Sequence, residues 1–320
     1  MNKNYDTTLK KNGFFSKFKL ELKLFKKNGQ LTLIALPAII AILVFNYLPL
    51  YGLILPFKRY YPAQGIIGSP WVGLKNFEFL FKTGDIWNAL GNTIFYNLIF
   101  IFIGTAVSVL IALMLYEFKN RFVKTYQTAL LIPYFMSWVV VAYVFNTLLD
   151  MEHGLFNQIL ALFGKDAVNW YNEAKQWPAI LSLAGIWKNA GYNAVVYFAA
   201  LMGLDSEYFE AARIDGASKF RQMWSISIPL IRSVITIMII LNIGKIFYGD
   251  FGLFYNVTMN SPLLYSTTDI IDTYVYRTLT SIGDIGMAST TGFAQSVCGF
   301  VLVLLTNWIV KKKDPESALF

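Results

Sequence analysis

Three sets of polar and aromatic residues lie inside otherwise apolar sequence, and their types suit recognition without bond breaking. Asn189, Tyr192, Asn193 and Val196 share a face at helical spacing, with Tyr197 beside them. Tyr134, Ser137 and Trp138 do the same just after Pro133, and Asn242, Lys245 and Gly249 form a third stripe. Amide and ammonium groups hydrogen-bond to hydroxyls, and Tyr or Trp rings stack on the apolar face of a pyranose. Taken together, the stripes predict a cavity for a sugar. Taken singly, each residue would serve equally well as an interhelical hydrogen bond or an interfacial aromatic.

Reactive chemistry has little to build on. Cys298 and His153 are each the single residue of their type, which leaves no intrachain disulfide and no support for a metal site. The thiol is expected to be a small packing group. There is no nucleophile elbow, and the spacing of Asp150, Glu152, His153 and Asp166 matches no recognisable mechanism. The nucleotide-binding pattern Gly-x-x-x-x-Gly-Lys-[Ser/Thr] is missing as well, so the chain itself is expected to bind no nucleotide and no other cofactor. Lys188 and Lys245 stand out at membrane depth. An unpaired ammonium there costs at least about 2.5–3.5 kcal/mol, so each needs a partner or water. Asp250, five residues after Lys245, is placed to neutralise it; a carboxylated sugar is the other reading.

The elements that must position these groups are membrane helices. The 320 residues are 56% hydrophobic and 14% charged, against about 25% charged in an ordinary soluble domain. Six stretches are long and apolar enough to cross a bilayer: about 31–55, 89–116, 128–149, 177–202, 228–249 and 287–310. The net charge of +8 lies in tails and short loops, which points to membrane topology and not to nucleic acid. Eight lysines precede residue 31; Lys119, Arg121, Lys124, then Arg213, Lys219, Arg221, Arg232, then Lys311 to Lys313 fall on the same side. The positive-inside rule therefore places both termini in the cytoplasm. The expected organisation is a basic N-terminal segment (1–30), amphipathic over 14–27 and lying in the headgroup region, a single six-span domain (31–310) and a short tail (311–320). The three outer connections are apolar and aromatic enough to predict short helices across the outer mouth.

Between the fourth and fifth stretches lies Glu210-Ala211-Ala212-Arg213-Ile214-Asp215-Gly216-Ala217, followed by Ile228-Pro229-Leu230. Over about 206–227 the residues predict helix, turn and helix, starting near Ser206-Glu207 and bending at Gly216. The two alanines would let a partner approach closely, and Glu210 offers it an acceptor. The run resembles the "EAA" loop of the membrane subunits of ATP-binding-cassette importers. Leu36-Pro37-Ala38, Trp71-Val72-Gly73-Leu74-Lys75-Asn76-Phe77 and the run Thr268 to Arg277 extend the resemblance over nearly the whole chain. It is to sugar-importer permeases related to the maltose-transporter membrane subunits, and to LplB-like oligosaccharide permeases in particular; Ile228-Pro229 replaces a common Leu-Pro.

That resemblance implies an all-α, polytopic type I importer fold in a bacterial plasma membrane. It implies a second permease subunit forming a heterodimer, two cytoplasmic ATPase subunits that bind ATP and Mg, and an extracellular sugar-binding lipoprotein. Glu210, Ala211, Ala212, Arg213, Asp215, Gly216 and Ala217 would form the coupling helices, and sugar contacts would fall near Tyr134, Trp138, Asn189 and Asn242. An importer of peptide, amino acid or phosphate is the alternative within transport, and a membrane enzyme acting on lipid or glycan is the alternative outside it.

Overall fold

The computed structural model describes residues 29–118, 120–313 and 318, and among these it is built from helices with no strand. The basic segment 1–28, with its expected amphipathic stretch, and most of the C-terminal tail lie outside the described residues. The first compact unit ends at Ile54; it holds α1 (Gly29–Ile42), which runs on through a π turn at Leu43–Tyr47 into a 3-10 segment, Leu48–Phe57.

The second unit, from Leu55, carries everything else. Its elements are α2 (Lys75–Lys82), α3 (Gly84–Ile99) joined through a π turn to α4 (Thr105–Glu117), α5 (Asn120–Phe135), α6 (Trp138–Leu148) and α7 (Leu155–Leu162). There follow α8 (Trp177–Met202), α9 (Ser206–Ile214), α10 (Lys219–Gln222), α11 (Arg232–Ile243), α12 (Ile271–Arg277) and α13 (Ile285–Lys313). Single helical turns fill the connections. Each of the three expected outer connections does contain a short helix: α2, α7 and α12.

The centre of the unit is α8 packed along α3 and α4. Gly104, at the end of the π turn, and Ser108 and Ala112 on α4, spaced four apart, are buried, and Ala184, Ala190 and Ala194 are buried on α8. Small residues let two backbones come close where lipid supplies no hydrophobic drive, so packing contacts hold the pair. Gly191 on α8 is the tightest point, because a Cβ there would overlap the Leu130 carbonyl of α5. Two apolar clusters flank this pair. One joins Tyr96, Val141, Trp177, Leu181 and Phe254; the other joins Val109, Leu113, Leu201 and Ile231.

Helices long and apolar enough to span a membrane number three among the described residues: Gly29–Phe57, Gly84–Glu117 and Ile285–Lys312. Two of the expected straight spans are broken. The stretch 128–149 bends by 91° between Phe135 and Trp138, and 228–249 bends by 61° at Ile231 and unwinds after Ile243. Counting each bent pair as one span gives five. The expected fourth span is one helix, α8, of 26 residues. It is long enough to cross, but Lys188, Asn189 and Asn193 keep it from being as apolar as the others.

Both breaks have a proline before them, which removes a backbone donor and crowds the preceding turn. Pro133 precedes the sharper one, and there Ser137 then starts α6 by accepting a hydrogen bond from the Val140 N–H at 3.2 Å. Cys298, expected to fill a gap, is exposed on α13.

Candidate functional site

A helix that stops inside a membrane leaves carbonyls without partners, and water is not there to satisfy them. At the end of α5 the partner is Lys188 of α8. Its Nζ donates to the Tyr134 carbonyl at 2.7 Å and to the Pro133 carbonyl at 3.2 Å. The ammonium also lies 5.1 Å from the Trp138 ring centroid and 5.6 Å from that of Tyr134. A cation at a helix C-terminus is favoured by the helix dipole, and a cation over an aromatic face by the ring quadrupole. Lys188 is therefore paired within the chain and holds the bend.

The unwound segment after α11 is held in the same way. Asn97 Nδ2, on α3, donates to the Ile246 carbonyl at 3.0 Å and to the Tyr248 carbonyl at 3.1 Å. Gln295 Nε2, on α13, donates to the Phe247 carbonyl at 2.5 Å, and the Gly249 N–H donates to Asp272 Oδ2 at 2.7 Å. Burial pushes the Asp272 carboxyl above its ordinary range. Gly249 lies close under Ile270, whose side chain would have to turn aside to admit a Cβ there.

These two breaks border one cavity of about 460 Å³. Of the expected substrate-path residues, Tyr134, Asn189, Tyr192, Asn193, Asn242 and Lys245 all line it. Tyr134 and Tyr192 stack face to face, with centroids 4.3 Å apart and planes 10° from parallel. The other three expected residues lie elsewhere. Ser137 is the cap of α6. Trp138 donates through Nε1 to Asp250 Oδ2 at 2.7 Å, which places it at the edge of the cavity and not among its lining residues. Tyr197 is 1% exposed within the cluster of Val109, Ala112 and Leu201, because its position on α8 turns it toward α4.

Asp250 also departs from expectation: its carboxylate accepts from Trp138 and from the Leu253 N–H, and it makes no ion pair with Lys245. Lys245 is exposed to the cavity with no ion pair among the described residues. Four polar lining residues, Asn97, Ser108, Tyr248 and Asp250, were not among the expected ones. Asn97 had a legible signal, an amide in the middle of an apolar span, which is costly without a partner.

The loop after α8 has the predicted helix, turn and helix. Asp205, one residue before the expected start, caps α9 by accepting from the Glu207 N–H at 3.0 Å. At the other end Gly216 has φ +75°. Its N–H donates to the Arg213 carbonyl at 3.1 Å, and the Ala217 N–H donates to the Ala212 carbonyl at 2.9 Å. This pair of bonds is a Schellman stop, which needs a left-handed residue and so favours glycine. Ser218 then caps α10. The loop sits on the end of α4: Phe209 is buried against Tyr116, and Lys219 Nζ lies 2.6 Å from Glu117 Oε2. Glu210, Ala211, Arg213, Asp215 and Gly216 are exposed, and so are Ile214 at 87% and Phe220 at 70%. Two large apolar side chains thus stand open beside exposed charges.

No group of three His, Cys, Asp or Glu among the described residues could hold a metal. His153 is exposed, 3.8 Å from Asp150.

A bundle of long and broken helices around a polar, aromatic cavity suits a membrane transport subunit. Comparison with known proteins gives its family: the chain belongs to the binding-protein-dependent transport system inner membrane components, whose signature matches residues 87–315. It is 35% identical over 288 residues to the polygalacturonan/rhamnogalacturonan transport system permease protein YteP of Bacillus subtilis (strain 168), covering 90% of this chain and 89% of that one. Its fold matches a bacterial ABC transporter involved in the import of the acidic polysaccharide alginate, with a TM-score of 0.82 and 29% identity over 91% of this chain and 98% of that one. It also matches a bacterial alginate ABC transporter in complex with alginate pentasaccharide-bound periplasmic protein, with a TM-score of 0.81 and 29% identity over 91% and 96% of the two chains. The chain is thus a membrane-embedded permease subunit of an ABC transporter and not itself an enzyme.

Proposed function

We propose that this chain is one of two permease subunits, forming a heterodimer, that import an oligosaccharide delivered by an extracellular binding protein. Separate cytoplasmic ATPase subunits supply the stroke. The observation that carries the reading is the cavity itself, where stacked Tyr134 and Tyr192 meet the amides of Asn189, Asn193 and Asn242. Flat rings beside amides fit the alternating apolar and hydroxyl faces of a sugar better than a peptide or a phosphate. The relatives whose names mention polygalacturonan and alginate support the same substrate class.

Coupling is assigned to Glu210, Ala211, Ala212, Arg213, Asp215, Gly216 and Ala217. α8 runs without a break from Asn193 to Met202 and leads into α9, so a push on the exposed loop reaches the cavity through one rigid element. On this reading six segments cross the membrane in one domain from about 31 to 310, α8 being the polar fourth, and the charge bias puts both termini in the cytoplasm. Lys245, with no ion pair at the cavity wall, supports a substrate that carries carboxylates.

The test is uptake and ATP hydrolysis by the complete importer in proteoliposomes. Glu210→Arg should leave the complex assembled while hydrolysis no longer drives uptake; normal coupled transport after changing Glu210 and Gly216 together would defeat the docking assignment. Lys245→Ala should lower uptake of uronic oligosaccharides by about tenfold and of neutral ones far less, as loss of a charge-assisted bond predicts. An equal loss for both counts against carboxylate recognition.

A further inference from the structure

A second pocket, of about 280 Å³, shares no lining residue with the inner cavity. The Trp138–Asp250 hydrogen bond ties their walls together: Asp250 lines the cavity, and Val139, the residue after Trp138, lines the pocket. One wall is the α6 stripe that includes Tyr143 and Asn146; the other is the turn containing Tyr255, Asn256 and Asn260. Both walls lie on the side that the charge bias makes extracellular.

The chemistry of this pocket repeats that of the cavity. Tyr143 is 69% exposed, so little of this chain covers its ring. The Tyr255 ring is fixed from behind, stacked at 4.9 Å on Phe251 and edge-on at 5.1 Å to Tyr276. Three amides accompany the rings. Asn256 spends its Nδ2 on the Gly252 carbonyl, and Asn260 Oδ1 accepts from Tyr265. Met259 and Asn260 have φ of 55° and 48°, two successive left-handed residues with Cβ atoms, which are rare. Strain of this kind is kept where the backbone must present a side chain in one direction. Three amides make a poor surface for an acyl chain, which cannot satisfy them.

We infer that this pocket is an outer saccharide subsite, which holds one ring of an oligosaccharide while other units of the same chain occupy or approach the inner cavity. The inference rests on the saccharide reading of the cavity and extends it, because two stations on one path favour longer chains. One aromatic platform held from behind, one open ring and the amides beside them suit the neutral faces of a sugar, so the subsite reads length and leaves the reading of charge to Lys245.

The experiment uses the complete importer in proteoliposomes and two probe ladders, oligogalacturonides and maltooligosaccharides, each of two and six units. The quantity read is the ratio of six-unit to two-unit uptake at limiting concentration. Tyr143→Ala should lower that ratio about tenfold for the ladder the wild type imports, the size of one lost aromatic contact. Asn146→Ala should lower it less, and Tyr143→Phe, which keeps the ring, should hold it near wild type. The inner-cavity variant Asn193→Ala should lower uptake of both lengths and leave the ratio in place. A ratio unchanged in Tyr143→Ala overturns the outer subsite alone. A wild-type importer that takes up neither ladder overturns the saccharide reading and the subsite with it.

Discussion

Two interruptions of helix, one in the exposed loop after α8 and one beside the cavity, are built by opposite means. The stop at Gly216 is local: Asp205, Gly216 and Ser218, all within fourteen positions, supply the caps and the left-handed turn. The stop at Phe135 is not local. Pro133 and Ser137 shape it, but its loose carbonyls are satisfied by Lys188, which lies 55 and 54 positions away from the residues it reaches. A turn in water can be closed by its own residues; a break within apolar surroundings needs a donor brought from another helix. The stop at Gly216 is therefore closed by its own residues, even though its helices rest on α4, and the cavity is a property of the whole bundle.

The largest effect expected from this contrast is at Lys188. Lys188→Met should leave the Pro133 and Tyr134 carbonyls unpaired in a site where Lys188 itself is only 7% exposed. The cost should be about 2 kcal/mol, as for other buried polar groups left without a partner. The thermal midpoint of the purified complex should fall, and sugar affinity should fall with it because Tyr134 moves with the break. Wild-type stability in Lys188→Met would show that Pro133 and Ser137 set the bend by themselves and that the contrast is wrong.

The same contrast explains what could be read in the sequence. The helix, turn and helix of the loop were legible to the residue, because capping and glycine signals act within a few positions: α9 begins at Ser206 as expected, with Asp205 as its cap. Six of the cavity residues were also legible, as polar groups too costly to leave in lipid. Tyr197 was misread because helical spacing gives a face but not its neighbour, and the neighbour turned out to be α4. The bend at Phe135 and the unwinding after Ile243 were not legible, for the reason that makes them work: their partners, Lys188 for the first and Asn97 and Gln295 for the second, lie far along the chain. Lys188 itself carried a visible demand for a partner, and only the fold shows that the partner is backbone.

A smaller effect is expected at Gly216. A Cβ there meets nothing within 4 Å, so Gly216→Ala adds no clash and carries only the backbone penalty of the left-handed conformation. That penalty is about 1 kcal/mol, roughly half the loss expected at Lys188. Because the loop closes on itself, sugar affinity should stay as in wild type while stimulation of ATP hydrolysis by loaded binding protein declines. A fall in sugar affinity as large as that in Lys188→Met would mean that the loop and the cavity are not separable in the way their hydrogen bonds indicate.

The smallest effect lies in another self-closed turn, between α6 and α7, and it has a sign that can be worked out. Asp150 Oδ1 accepts from the His153 N–H at 2.7 Å and from the Glu152 N–H at 3.1 Å. These bonds, the His153 one first, hold its carboxyl below the ordinary value. A depressed carboxyl stabilises the turn at any pH above its unfolded value, and that contribution drains away as pH falls through the folded value. Amide exchange at Glu152 and His153 should therefore quicken relative to intrinsic rates as pH drops below about 4, the usual aspartate range, while the core amides of α8 do not respond. Asp150→Asn should remove the pH dependence. Should the two amides keep constant protection down to pH about 2, the turn is held by its backbone and by the three carbonyls that Asn157 Nδ2 reaches, at Asp150, Met151 and Val168, and here too closure would depend on a residue outside the turn.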